Sequence, residues 1–343
     1  MRRSSTLHLV AYQGWRPEIM GTPAAARAAH ALVGRLTLGG GAWLGAGAVI
    51  RADGHYVRIG AHAHFGRGAT VHIAHDHYPT VVHERVSVGA NAVVHACTVR
   101  ADVVIEDDCV VLDGAQIGAG AVLEAASVVF PRSVLAGGML YAGRPARALR
   151  ALEPGEAAAR AAALRARNEA ADAAWPRGAP KAGIARDAFV ADTACLQGDV
   201  RIAAGASVWY GCRLDARAGR IALGAHCNVQ DNSVLVAGAG GLAIGAETTI
   251  GHNVQLAECR IGARCLVGMG SRIAAGSVIA DDAFVAAGCV TAPGQVLEGG
   301  RVWGGEPARP IGTLDDLKRE TVRLTAVMYS GYAREFRAAC SAA

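Results

Sequence analysis

An aliphatic residue recurs every six positions through two long stretches of this chain, with small residues beside it. In the first half the pattern runs through Val86-Ser87-Val88-Gly89-Ala90-Asn91-Ala92-Val93-Val94 and Ala115-Gln116-Ile117-Gly118-Ala119-Gly120-Ala121-Val122-Leu123. In the second it runs through Leu242-Ala243-Ile244-Gly245-Ala246-Glu247-Thr248-Thr249-Ile250-Gly251 and Arg260-Ile261-Gly262-Ala263-Arg264-Cys265-Leu266-Val267-Gly268. A sandwich or barrel would mark its turns about every 8–12 residues. Six is the period of a hexapeptide β-helix. Each hexapeptide supplies a short strand and a turn. Its aliphatic side chain points into a narrow triangular interior and stacks on its equivalent one coil away. Three hexapeptides make a coil of about 18 residues, so residues that far apart share a face. The 44 glycines and 5% aromatic content suit so thin an interior.

A longer period is superimposed. Tyr141-Ala142-Gly143-Arg144-Pro145-Ala146-Arg147 matches Trp303-Gly304-Gly305-Glu306-Pro307-Ala308-Arg309, and the offset from 141 to 303 is 162 residues. Arg51-Ala52-Asp53 and Arg213-Leu214-Asp215 keep that offset, as do Val88-Gly89-Ala90-Asn91 and Ile250-Gly251-His252-Asn253. Shared punctuation at one long period marks a duplication. The predicted fold is therefore mainly β: two tandem parallel β-helices, each followed by an α-helix. Residues 1–175 form the first unit, 176–183 a linker, and 184–343 the second. The first helix is predicted over 156–174, where Ala, Arg and Glu dominate. Pro154-Gly155 precede it and Trp175-Pro176 stop it. The second opens at Thr313-Leu314-Asp315-Asp316, with acidic residues where a helix N-terminus favours them.

Composition narrows the function. The net charge of +5 is mild, and no basic block is interleaved with aromatics, so nucleic acid is not an expected partner. Arg160, Arg165 and Arg167 read as a solvated helix face. The nine cysteines form no CxxC and are odd in number. They read as buried free thiols of a reducing compartment, which places the protein in the cytoplasm. No apolar run reaches membrane length, so no membrane span is expected. The N-terminus is basic but lacks the apolar core of a secretory signal.

Ten of the 12 histidines lie in residues 1–100. Within Thr70-Val71-His72-Ile73-Ala74-His75-Asp76-His77-Tyr78-Pro79, residues 74–79 break the repeat and must leave the solenoid as a loop. Without them, His72 and His95 are about one coil apart and share a face. His252 lies about one hexapeptide earlier in the equivalent coil of the second copy, on a different face. One solenoid cannot aim both faces at one point, but two side by side can. Three imidazoles with a fourth position free form the pattern of a catalytic zinc site. Imidazole also suits Fe2+ and Co2+, so the sequence leaves the metal open. His55, His62, His64, His83 and His226 are assigned to the surface.

Both copies resemble the γ-class carbonic anhydrases. The resemblance covers nearly the whole chain, twice, and rests on Arg51 and Asp53, Arg213 and Asp215, Asn228-Val229-Gln230-Asp231, and Gly251-His252. It implies left-handed β-helices, trimer-like packing in a homo-oligomer, and a metal held between neighbours. One neighbour gives the first and last histidine, and the other gives the middle one. The first copy keeps His72 and His95 but has Ala90 at the middle position. The second keeps His252 but has Val236 and Ala257 at the outer ones. The family's metal-side glutamine survives as Gln230 and is lost in the first copy, which reads His64-Phe65-Gly66-Arg67-Gly68 there. The losses are complementary, so one full set survives as a contact of the first copy with the second.

The resemblance implies zinc-dependent, reversible hydration of carbon dioxide to bicarbonate. Gln230 and Asn228 would orient the reacting water. His75 stands where some members carry a proton-shuttling glutamate, and Gly54 where others carry a neighbouring one. Tyr141 matches a tyrosine that reaches the metal's water. Arg51, Asp53, Arg213, Asp215 and Asp231 are read as structural contacts between neighbours. Three alternatives stay open: a catalytically weak or inactive scaffold protein of the same kind, a hexapeptide acyltransferase, and a thioesterase or metal-binding protein on the same scaffold.

Overall fold

The computed structural model describes residues 7–25, 31–171 and 183–341. The chain divides into two compact units, residues 1–175 and 176–343. The predicted linker and the helix stop at Trp175-Pro176 lie almost wholly outside the described residues.

The first unit is a solenoid of short, parallel, hydrogen-bonded strands. Its interior has three walls. Leu44, Phe65, Val88, Ile105, Leu123 and Tyr141 stack along one, in register from coil to coil. Ile50, Val71, Val94, Val111 and Val129 stack along the second. Ile59, Val82, Val99, Ile117 and Leu135 complete the triangle. All sixteen belong to one buried cluster. The hexapeptide period thus selects the residues that face inward, and burying them is the main favourable term for the coil. After His72 the chain leaves the coil as expected, bridging Ala74 to Tyr78 across an exposed turn at residues 75–77.

The second unit repeats this plan. Val208, Val229, Ile250, Val267, Val285 and Trp303 line one wall. Leu214, Leu235, Leu256 and Ile273 line another, and Leu223, Ile244, Ile261, Ile279 and Leu297 the third.

Helix α1 spans Glu156–Ala170 with Ala171 as its C-terminal cap, and residues 172–174 of the predicted helix lie outside the described residues. Helix α2 spans Asp316–Ser341. Asp315 caps it by accepting a 2.9 Å hydrogen bond from the Lys318 amide. The two helices dock differently. In α2, Val322, Ala326, Tyr329, Ala333 and Phe336 form one buried stripe. Tyr329, Tyr332 and Phe336 close around Trp209 of the second solenoid. In α1, Leu164 joins Val104, Val122 and Leu140 in a small apolar cluster, with Ala157 and Ala161 packed against it. Polar contacts supply much of the rest: Asn168 is buried, Arg160 and Arg165 are half-buried against the solenoid, and Arg167 alone of the three arginines stays exposed as expected. Arg160 pairs with Glu106 at 3.1 Å, Arg165 donates to Ser87 Oγ at 2.8 Å, and Arg167 pairs with Asp107 at 3.0 Å. No described helix is long and apolar enough to cross a membrane.

Candidate metal-binding residues

In the first unit, His72 and His95 occupy facing positions on adjacent strands, Thr70–His72 and Val93–His95. Both are buried, at 3% and 6% exposure. His72 Nδ1 lies 3.3 Å from His95 Nε2. The opposite nitrogens are engaged by carboxylates. Asp53 Oδ1 is 2.8 Å from His72 Nε2, and Asp113 Oδ1 is 2.6 Å from His95 Nδ1. The other Asp53 oxygen accepts a 2.6 Å hydrogen bond from Arg51. Arg51 and Asp53 are both fully buried. Asp53 is therefore more than the contact between neighbours expected of it, because inside its own unit it orients a histidine.

These residues fit a divalent metal. A neutral imidazole carries one N–H and one lone pair. With each N–H given to a carboxylate, two lone pairs face each other. Two nitrogens about 2.0–2.1 Å from one tetrahedral ion lie about 3.3–3.4 Å apart, which matches the observed spacing. Carboxylate-held imidazoles are also the usual support of metal ligands.

In the second unit, His252 is fully buried, with Asp231 Oδ2 3.1 Å from its Nδ1. Asp231 Oδ1 accepts from the Tyr210 amide at 3.0 Å, which ties the carboxylate to the next coil. Asp231 thus also works within its own unit, beside a histidine. Gln230 is 3% exposed and donates through Nε2 to Asn228 Oδ1 at 3.2 Å. Asn228 donates in turn to Thr249 Oγ1 at 2.8 Å. The glutamine side chain is held by a short amide chain and is not free on the surface.

No protein-family model matches the chain. Over 158 residues it is 46% identical to γ carbonic anhydrase 3, mitochondrial, of Arabidopsis thaliana, covering 44% of this chain and 61% of that protein. Over 158 residues it is 34% identical to γ carbonic anhydrase 1, mitochondrial, of the same plant, covering 44% and 58%. The chain thus spans less than two thirds of the length of these curated relatives. The chain is a γ-carbonic-anhydrase-like hexapeptide-repeat protein. A solved candidate acetyltransferase from Desulfovibrio desulfuricans overlays with a TM-score of 0.55 over 88% of this chain and 68% of that one. At 13% identity it shares the fold alone.

The two copies of this γ-carbonic-anhydrase-like protein differ where the metal ligands stand. Val236 and Ala257 pair on adjacent strands of the second unit, and Val236 is 43% exposed. Asp215, the counterpart of Asp53, turns to Arg217 at 2.8 Å. Arg213 is only half-buried. In the first unit a Cβ on Gly66 would lie 2.6 Å from the Ala90 amide nitrogen, so the lost glutamine cannot be restored without moving backbone. His75 is exposed on its loop. Tyr141 lies in the interior of the last coil and donates to the Ala136 carbonyl at 3.1 Å. Its hydroxyl is therefore engaged there, on another wall from His72 and His95.

His64 departs from the surface position expected of it. It is 3% exposed and stacks on Trp43, with ring centroids 4.1 Å apart. Burial, and then the nearby Arg165, push its pKa down to about 3. An unfolded chain would protonate it near 6.5. The stability it contributes is present above about pH 6.5 and is lost as pH falls toward 3. Between pH 7 and 4.5 that loss should reach about 2–3 kcal/mol. Urea denaturation of wild type and His64→Phe at both pH values checks this, and the variant should show the smaller loss.

None of the eight described cysteines forms a disulfide, and all eight are buried. Burial pushes Cys109, Cys227 and Cys259 up to about 12, so these thiols stay protonated and unreactive.

Proposed function

We propose that His72, His95 and His252 together hold one divalent metal, and that the chain uses it to hydrate carbon dioxide reversibly to bicarbonate. The first unit gives the histidine pair. A second unit, of the same chain or a neighbour, gives His252. One observation carries the reading: two buried imidazole nitrogens lie 3.3 Å apart while each ring's other nitrogen meets a carboxylate, so that with the N–H groups on the carboxylates two lone pairs face each other. Such a pair calls for a shared cation. Zinc is the first candidate, with Fe2+ and Co2+ alternatives of the same ligand chemistry. The chemistry the ion supplies is Lewis acidity, which makes water a nucleophile near neutral pH.

The chain's own residues do the rest. Gln230, braced by Asn228 and Thr249, orients the reacting water through its remaining amide hydrogen and carbonyl. The identity to Arabidopsis γ carbonic anhydrases supports carbon dioxide as substrate. His75, exposed on its loop, passes the released proton to buffer, a role imidazole suits. A homo-oligomer with β-helices packed side by side completes the arrangement.

A second reading is a weak or inactive scaffold. Gly54 favours it, because a Cβ there would lie 2.7 Å from the His75 carbonyl oxygen. A shuttle carboxylate therefore does not fit at position 54 without moving the His75 backbone. Stopped-flow carbon dioxide hydration by zinc-, cobalt- or iron-loaded protein separates the two. The enzyme reading expects turnover above buffer that disappears with chelator and in His95→Ala. Bound metal without turnover would leave the scaffold.

A further inference from the structure

We infer that Asp113 is a positioning residue that fixes the tautomer and aim of His95. The inference rests on the metal reading above. His95 has two nitrogens and, when neutral, one proton to place. With the proton on Nδ1 it donates to Asp113 at 2.6 Å and leaves Nε2 as a lone pair. With the proton on Nε2 it would donate to His72 Nδ1, 3.3 Å away, and close the pair on itself. A hydrogen bond to a carboxylate is roughly twice as strong as a neutral one, so Asp113 selects the open form.

The second copy supports this independently. His95 corresponds to Ala257, and Asp113, at the same 162-residue offset, to Ala275. Where the histidine is gone, so is its carboxylate. Asp53 behaves otherwise. Its counterpart Asp215 survives beside Val236 because it has another partner, Arg217. Asp53 also holds an arginine, and its counterpart keeps an arginine without a histidine, whereas the carboxylate on His95 Nδ1 is absent where the histidine is absent. Asp113 is also 42% exposed, so the solenoid does not need it for packing.

The test is zinc affinity by chelator competition, together with the visible absorption of the cobalt-loaded chain. Asp113→Ala should weaken zinc about 10–100-fold and change the cobalt spectrum, while the apo protein keeps its melting temperature. Asp113→Asn keeps an acceptor oxygen and should fall between alanine and wild type. Wild-type affinity in Asp113→Ala would overturn the inference and leave the metal reading standing. So would a drop in apo melting temperature that asparagine does not rescue, since that marks an ordinary structural role. A wild-type chain that takes up no zinc or cobalt would overturn the metal reading first, and this inference with it.

Discussion

His252→Ala should lose its metal as completely as His72→Ala or His95→Ala. The expectation is strong because the three residues are unequal in every other respect. His72 and His95 are strand neighbours with 3.3 Å between their ring nitrogens, whereas His252 belongs to the other unit beside Asp231. If the pair were a self-sufficient site, His252 would be irrelevant to it. Removing one supporting outer-shell partner commonly costs 10–100-fold in affinity, so removing a direct ligand should cost more than about 100-fold. Metal analysis after gel filtration, with chelator competition on each variant, gives the comparison. Similar losses in all three support a shared ion. Unaltered binding in His252→Ala would confine the ion to the first unit.

The second large effect is structural. Trp209→Ala should destabilise the second unit by about 3–5 kcal/mol, the usual cost of truncating a large buried aromatic. Trp209 is fully buried, and its ring centroid lies 5.3, 6.3 and 5.4 Å from those of Tyr329, Tyr332 and Phe336. Phe189 sits against it at 4.9 Å. The polar contacts of α2 with its solenoid, Arg319 with Asp282 at 3.9 Å and Arg337 with the Arg186 and Asp187 carbonyls, lie near solvent and do not replace this cluster. Hydrogen exchange should show peptides of Asp316–Ser341 losing protection, while peptides of Glu156–Ala170 keep theirs. Equal protection of α2 in the variant would mean that the aromatic cluster is not its anchor.

The interior of both solenoids was legible in the sequence because one physical rule governs it. Every sixth side chain points inward, and Ile105, Val111, Ile117, Leu123, Val129 and Leu135 obey that rule with no exception. The same coil arithmetic paired His72 with His95. What it left unread lies outside the walls. Asp113 stands 18 residues after His95, one coil on, so the rule that paired the histidines would have found it. It was missed because an outward aspartate looks the same in sequence whether it meets solvent or bends back to a ring. Asp53 and Asp231 were read as contacts between neighbours for the same reason, although each lies beside a histidine of its own unit. His64 was missed because the period marks a position as outward but does not say what covers it. It pairs in register with Ser87, the residue that Arg165 of α1 reaches. The helix docking that buries this wall depends on long-range ion pairs that no local pattern reveals.

X-ray absorption of the zinc-loaded wild-type chain tests the split site most directly, because it counts nitrogen ligands. The account predicts about one zinc per chain with three imidazole nitrogens about 2.0–2.1 Å away. Two imidazoles, with the same spectrum in His252→Ala, would contradict it.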